Sequence, residues 1–87
     1  MSIPFFIRAS KAQKALGLPK SSFYSQISEG LLPPSIQLGK RSVGWLESEI
    51  NAVICARIQG KSEEEIKSLV QNLINNRKNL VQGVLYE

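Results

Sequence analysis

Hydrophobic and polar positions in the first third of the chain alternate with the short period of two small helices. Residues 8–17 place Ala12, Ala15 and Leu16 on one side and Lys11 and Lys14 on another. Ser10 is the expected N-cap of this helix, and Gly17 the expected residue just past its end. Pro19 disfavours continuing the helix through Leu18. A second helix is predicted over residues 22–29, capped by Ser21 or Ser22, with Phe23 and Ile27 inward and Gly30 ending it. Two short helices about four residues apart have the spacing of a helix-turn-helix.

The pattern then changes. Leu31–Leu32–Pro33–Pro34 holds two prolines and reads as a stiff extended connector. Ser35–Ile36–Gln37–Leu38 alternates as a half-buried strand does. Gly39–Lys40 has the form of a two-residue type II′ hairpin turn, and residues 41–45 form the returning strand. Ile36, Leu38, Val43 and Trp45 are then expected to face the core, with Lys40, Arg41 and Ser42 at the tip.

Residues 46–59 read as a longer helix with an apolar stripe of Leu46, Ile50, Val53, Ile54 and Ile58. Glu47 and Glu49 suit the positive end of its dipole, and Gly60 stops it. Ser62 and Glu65 have capping-box spacing. Ile66, Leu69, Val70, Leu73 and Ile74 follow in amphipathic register, predicting a last helix to about residue 76 or 78. Residues 80–86 form an apolar tail whose conformation the pattern does not assign. The expected fold class is mainly α with a small β-hairpin: a winged helix-turn-helix with an extra C-terminal amphipathic helix. Residues 1–60 form the expected DNA-binding domain and residues 61–87 the added helix and tail.

Charge sharpens this picture. The net charge is +4, but it is unevenly spread. Residues 1–45 hold six cations (Arg8, Lys11, Lys14, Lys20, Lys40, Arg41) against the single acid Glu29, whereas the remainder is close to neutral. A basic N-terminal half points to a polyanion as partner. The chain has no histidine and one cysteine. It therefore has neither a multi-cysteine zinc site nor an internal disulfide, and Cys55, in an apolar run, is expected to be buried. No nucleophile–base set or phosphate-binding glycine loop occurs, so no enzymatic role, metal or cofactor is expected. No apolar stretch nears the ~20 residues of a membrane helix, and residues 2–7 lack the flanks of a signal peptide. A cytoplasmic protein is expected.

The residues placed to meet DNA are those at the start of the second helix and at the hairpin tip: Lys20, Ser21, Ser22, Tyr24, Ser25 and Gln26, with Lys40, Arg41 and Ser42. Short hydroxyls at a helix N-terminus allow close approach to phosphate. Tyr24 and Gln26 are long enough to reach bases. A cationic hairpin tip suits the DNA backbone or minor groove.

Three stretches, spanning roughly residues 5–60, resemble the AlpA-type prophage regulatory proteins, which are related to phage excisionases. They are Leu18–Pro19–Lys20–Ser21–Ser22–Phe23–Tyr24, then Leu32–Pro33–Pro34–Ser35–Ile36–Gln37–Leu38–Gly39–Lys40–Arg41, then Ser42–Val43–Gly44–Trp45–Leu46–Glu47–Ser48–Glu49–Ile50. The resemblance implies a winged helix-turn-helix of the MerR or excisionase type, duplex DNA as partner, and a role in integrase-gene transcription or in excision. It implies integrase or RNA polymerase as further partners, and a structural role for Trp45 in anchoring the wing. Two other readings remain open on the residues alone: an architectural excisionase that bends DNA, and a protein–protein adaptor working through the last helix. Many family members stop before residues 61–87, so the added helix must bury its stripe either on its own domain or against a second chain through Leu69, Val70, Leu73 and Ile74.

Overall fold

The computed structural model describes residues 5–79. Its elements run β1 (Phe6–Ile7), α1 (Ala9–Leu16), α2 (Lys20–Ser28), β2 (Ile36–Gln37), β3 (Val43–Leu46), α3 (Glu47–Ile58) and α4 (Glu63–Asn75). The fold is mainly helical with a small antiparallel sheet, a winged-helix-like architecture. The sheet has three strands in the order β1-β3-β2, so the hairpin gains a strand that the short apolar stretch before Arg8 did not announce. The apolar tail after residue 79 lies outside the described residues.

That extra strand resets the start of α1. Ile7 pairs with Trp45, and the chain turns into the helix two residues later, with extended Arg8 as N-cap and the Ala12 amide donating to its carbonyl at 3.0 Å. Ser10 therefore sits inside the first turn and caps nothing. In α2 the cap is Pro19, whose fixed φ and extended ψ lead directly into the helix at Lys20. Ser21 and Ser22 are accordingly first-turn residues, not caps. At the other end Gly30 adopts φ +82°, and the Leu31 amide reaches back to the Gln26 carbonyl at 2.9 Å. This is a Schellman closure, which turns Leu31 into the core; Gly17 and Gly60 close α1 and α3 in the same way.

The hairpin differs from its predicted form by one residue. Its tip has three residues, Gly39–Lys40–Arg41, closed by the Leu38 and Gly39 amides donating to the Ser42 carbonyl at 2.8 and 3.3 Å. Gly39 does not take the positive φ of a type II′ turn. A two-residue loop would set Ile36 opposite Val43, but Ile36 lies opposite Gly44 and Gln37 opposite Val43. A one-residue shift reverses which side chains share a face. Leu38 and Val43 are left 39% and 40% exposed, Ile36 is half-buried, and of the four expected inward residues only Trp45 is buried. Gly44 eases the packing here: a Cβ would lie 2.9 Å from Cδ1 of the exposed Leu38 side chain, which would have to move aside, and 3.3 Å from the Ile7 carbonyl oxygen.

The core gathers Ala12, Phe23, Leu31, Leu32, Trp45, Ile50, Val53, Ile66 and Val70 from the helices, the connector and β3. In α3 the buried face is Glu49, Ile50, Val53 and Ala56, rotated from the predicted stripe. Ile58 lies five residues past Val53, well round the helix, and is 79% exposed. The same rotation leaves Cys55 exposed rather than buried, in an open groove between α3 and α4 that also borders Ala52, Ser68 and Leu69.

Helix α4 lays its apolar face on its own domain. Ile66 and Val70 are buried, and Leu69, Leu73 and Ile74 pack against the core as half-buried residues. Val70, only 1% exposed, has no surface left for a second chain. The capping box is present: Ser62 Oγ accepts from the Glu65 amide at 3.2 Å, and the Ser62 amide donates to Glu65 Oε1 at 2.9 Å. The bond from the Ser62 amide, with one from its side chain, holds the Glu65 carboxyl below the ordinary carboxylate range. A depressed folded pKa stabilises above the unfolded value, so this contribution is present at neutral pH and fades as pH falls through the folded pKa. Ser62→Ala is expected to cost about 1 kcal/mol, read as a lower urea midpoint with unchanged slope; no shift in the midpoint would mean that the cap is not made in solution.

Candidate nucleic-acid interface

Helix α1, the turn at Gly17–Leu18–Pro19 and helix α2 form the helix-turn-helix. The first-turn amides of α2 have no side-chain cap, so the N-terminal end of the helix offers free donors beside Lys20. Ser21, Ser22, Ser25, Gln26 and Glu29 line one shallow open depression along α2. The structure thus brings four of the predicted residues to a single surface and adds an acid to it. Ser25 Oγ lies 3.5 Å from Glu29 Oε2, and the exposed Ser28 Oγ donates back to the Ser25 carbonyl of its own helix at 2.8 Å.

Tyr24 occupies a different place. Its ring meets Phe23 edge-on at 5.1 Å and Trp45 at 6.4 Å, and Phe23 meets Trp45 at 5.1 Å. This three-ring cluster joins α2 to β3, with Phe23 and Trp45 buried and Tyr24 part-exposed at the surface. The second helix and the hairpin are therefore held by one packed contact.

At the hairpin tip Lys40 and Arg41 are exposed and Ser42 half-buried. The tip is braced from within: Gln37 Nε2 donates to the Gly39 carbonyl at 2.6 Å and to the Lys40 carbonyl at 3.3 Å. Arg8 donates to the Val43 carbonyl at 3.0 Å, which brings a third cation to the base of the hairpin. Neither residue stands out in the sequence. Gln37 reads as an ordinary outward strand position, and Arg8 precedes a helix by one residue; each acquires its role from a pairing 2 to 35 positions away.

Gln26 also has an internal partner. Arg57, in the last turn of α3, donates from Nη2 to Gln26 Oε1 at 2.6 Å. Burial lowers the Arg57 pKa from its ordinary value, though a guanidinium stays protonated at any physiological pH. In the sequence Arg57 is accounted for by the negative end of the helix dipole, and nothing marks it as a partner for α2.

All six cations of the first half, Arg8, Lys11, Lys14, Lys20, Lys40 and Arg41, are exposed. Among the described residues none of them pairs with a carboxylate; the ion pair that forms joins Arg77 to Glu49. No helix among the described residues is long and apolar enough to cross a membrane.

A helix-turn-helix fixed by aromatic packing to a braced, cationic hairpin defines the class of winged helix-turn-helix-like domains. Within that class the chain belongs to the AlpA family: residues 5–58 match the family described as "Prophage CP4-57 regulatory protein (AlpA)". It is also 38% identical over 56 residues to the "Uncharacterized protein ORF88" of Enterobacteria phage P4, an overlap that covers 64% of this chain and 64% of that protein. No solved structure matches the chain significantly. The family match ends at the last residue of α3, so α4 and Arg77 lie outside it.

Proposed function

We propose that this chain is a sequence-specific DNA-binding regulator of a prophage or integrated element, and not an enzyme. Helix α2 enters the major groove with Lys20, Ser21, Ser22, Ser25 and Gln26 toward the DNA, and Tyr24 reaches it from the margin of the aromatic cluster. Lys40, Arg41 and Ser42 lie along the backbone or in the adjoining minor groove as a wing. The observation that carries this reading is the set of six exposed cations, unpaired among the described residues, on the helix-turn-helix and its hairpin. Helix α4, with Ile66 and Val70 buried and Leu69, Leu73 and Ile74 half-buried against the core, serves this reading as a brace.

The test is a titration with mixed-sequence duplex DNA at several salt concentrations. Four to six phosphate contacts predict a log–log slope of about −4 to −5. Changing Lys40 and Arg41 together to alanine is expected to weaken binding to every duplex and to flatten the slope by about 1 to 2. No binding by the wild-type chain at low salt would overturn the DNA reading. An unchanged slope in the double variant would remove the hairpin tip from the interface.

A further inference from the structure

The bond between Arg57 and Gln26 has a consequence for what α2 reads. A guanidinium carries donors and no acceptor, so the Gln26 amide must turn its oxygen toward Arg57. At 2.6 Å the bond is short and charge-assisted. Arg57 is itself half-buried, and among the described residues its Nε has no hydrogen-bond partner, so the bond to Gln26 is the one its guanidinium makes there. The amide nitrogen of Gln26 has no partner among the described residues, and Gln26 borders the depression it shares with Ser21, Ser22 and Ser25.

Resting on the DNA reading above, we infer that Gln26 is a specificity-determining residue that Arg57 converts into a pure donor, and that it selects guanine over adenine in the major groove. Glutamine ordinarily reads adenine through both ends of its amide: the oxygen accepts from N6 while the nitrogen donates to N7. That contact needs Oε1 free beside the base, and here Oε1 is engaged by a cation. The remaining NH₂ group meets two adjacent acceptors on guanine, O6 and N7. On adenine it meets one acceptor beside an opposing N6 donor. Arg57 acts through Gln26 and is a positioning residue.

The experiment is selection of bound duplexes from a randomised library by the full chain and its variants. The position whose preference disappears in Gln26→Ala identifies the base pair that Gln26 reads. At that position the wild-type chain is expected to favour guanine over adenine by about fivefold to tenfold. Arg57→Met keeps the apolar stem and frees Oε1, and is expected to erase or reverse that ratio. Gln26→Glu keeps an acceptor for Arg57 but presents a carboxylate oxygen outward, and is expected to move the preference to cytosine, whose N4 donates. Thermal unfolding checks that each variant is folded; if Arg57→Met is not, Gln26→Glu decides the matter. Adenine preferred by the wild-type chain, a guanine-to-adenine ratio unmoved in folded variants, or no position altered by Gln26→Ala would overturn the inference while leaving DNA binding intact. Failure of the wild-type chain to bind any duplex would overturn the functional reading, and this inference with it.

Discussion

Arg77→Ala is expected to cost about 3–5 kcal/mol of folding free energy, the scale for breaking a buried ion pair from one side. Glu49 is 2% exposed and accepts both arms of the Arg77 fork, from Nε at 2.8 Å and from Nη2 at 2.7 Å. Arg77 Nη2 also donates to the Pro34 carbonyl at 2.9 Å. Alanine would leave a buried carboxylate with neither counter-ion nor donor. Small domains hold only about 5–15 kcal/mol in total, so the variant should be largely unfolded at modest urea concentrations. Urea titration followed by far-ultraviolet circular dichroism measures this directly. A loss under about 1 kcal/mol would mean that the pair behaves as a solvated surface contact. Lysine at 77 restores the charge without the fork and should recover part of the loss. Replacing both partners together, with Glu49→Leu and Arg77→Met, should recover more than lysine does, because no unpaired charge then remains.

The clasp also explains how the extra segment serves the fold. Glu49 stands in the first turn of α3, Pro34 in the connector between the helix-turn-helix and the hairpin, and Arg77 just beyond the cap of α4. A segment outside the family match thus closes on the joint between the two parts that face the proposed ligand. With Ile66 and Val70 it supplies burial that an 87-residue chain has little other means to obtain.

Much of this architecture was legible from local rules. The glycines at 17, 30 and 60 end their helices, and the spacing of Ser62 and Glu65 gives a capping box in the folded chain, because both signals act within four residues. The failures have two physical origins: partners distant in sequence, and a turn whose length local residue types leave open. Strand β1 exists because Ile7 meets Trp45, and it displaces the cap from Ser10 to Arg8. The hairpin register turned on whether Arg41 belongs to the loop or to the strand, a single residue that reverses the faces of Ile36 and Val43. In α3 the apolar count favoured a stripe through Ile58, but the buried carboxylate of Glu49, sustained by Arg77 28 residues away, belongs to the true inner face. The candidate site was legible in its residue types and charge. The braces that orient it were not: Arg57 acquires its role from a contact 31 residues away, and Gln37 from the exact shape of the three-residue tip, whose carbonyls it reaches only because Arg41 belongs to the loop.

Trp45→Ala is expected to cost about 3–5 kcal/mol, the range for deleting a buried large aromatic ring, and to weaken DNA binding even where the variant remains folded. Trp45 is 2% exposed, pairs across the sheet with Ile7, and packs its ring against Phe23 and Tyr24 of α2. Removing it opens a cavity between the helix and the strand that carries the hairpin, so the two surfaces proposed to grip DNA lose their common reference. Trp45→Phe tests this account more finely. The indole Nε1 is buried and has no hydrogen-bond partner among the described residues, an unfavourable feature that phenylalanine removes while keeping an aromatic face toward Phe23. The phenylalanine variant should therefore lose well under half of what alanine loses and should keep the salt slope of the wild-type chain. Circular dichroism is the appropriate probe of stability, since Trp45 is the sole tryptophan and its fluorescence disappears with it. Equal losses in the two variants would show that Nε1 contributes a bond and that the ring faces matter less. Full DNA affinity in a folded Trp45→Ala chain would show that α2 and the hairpin bind independently, and the aromatic cluster would then serve stability alone.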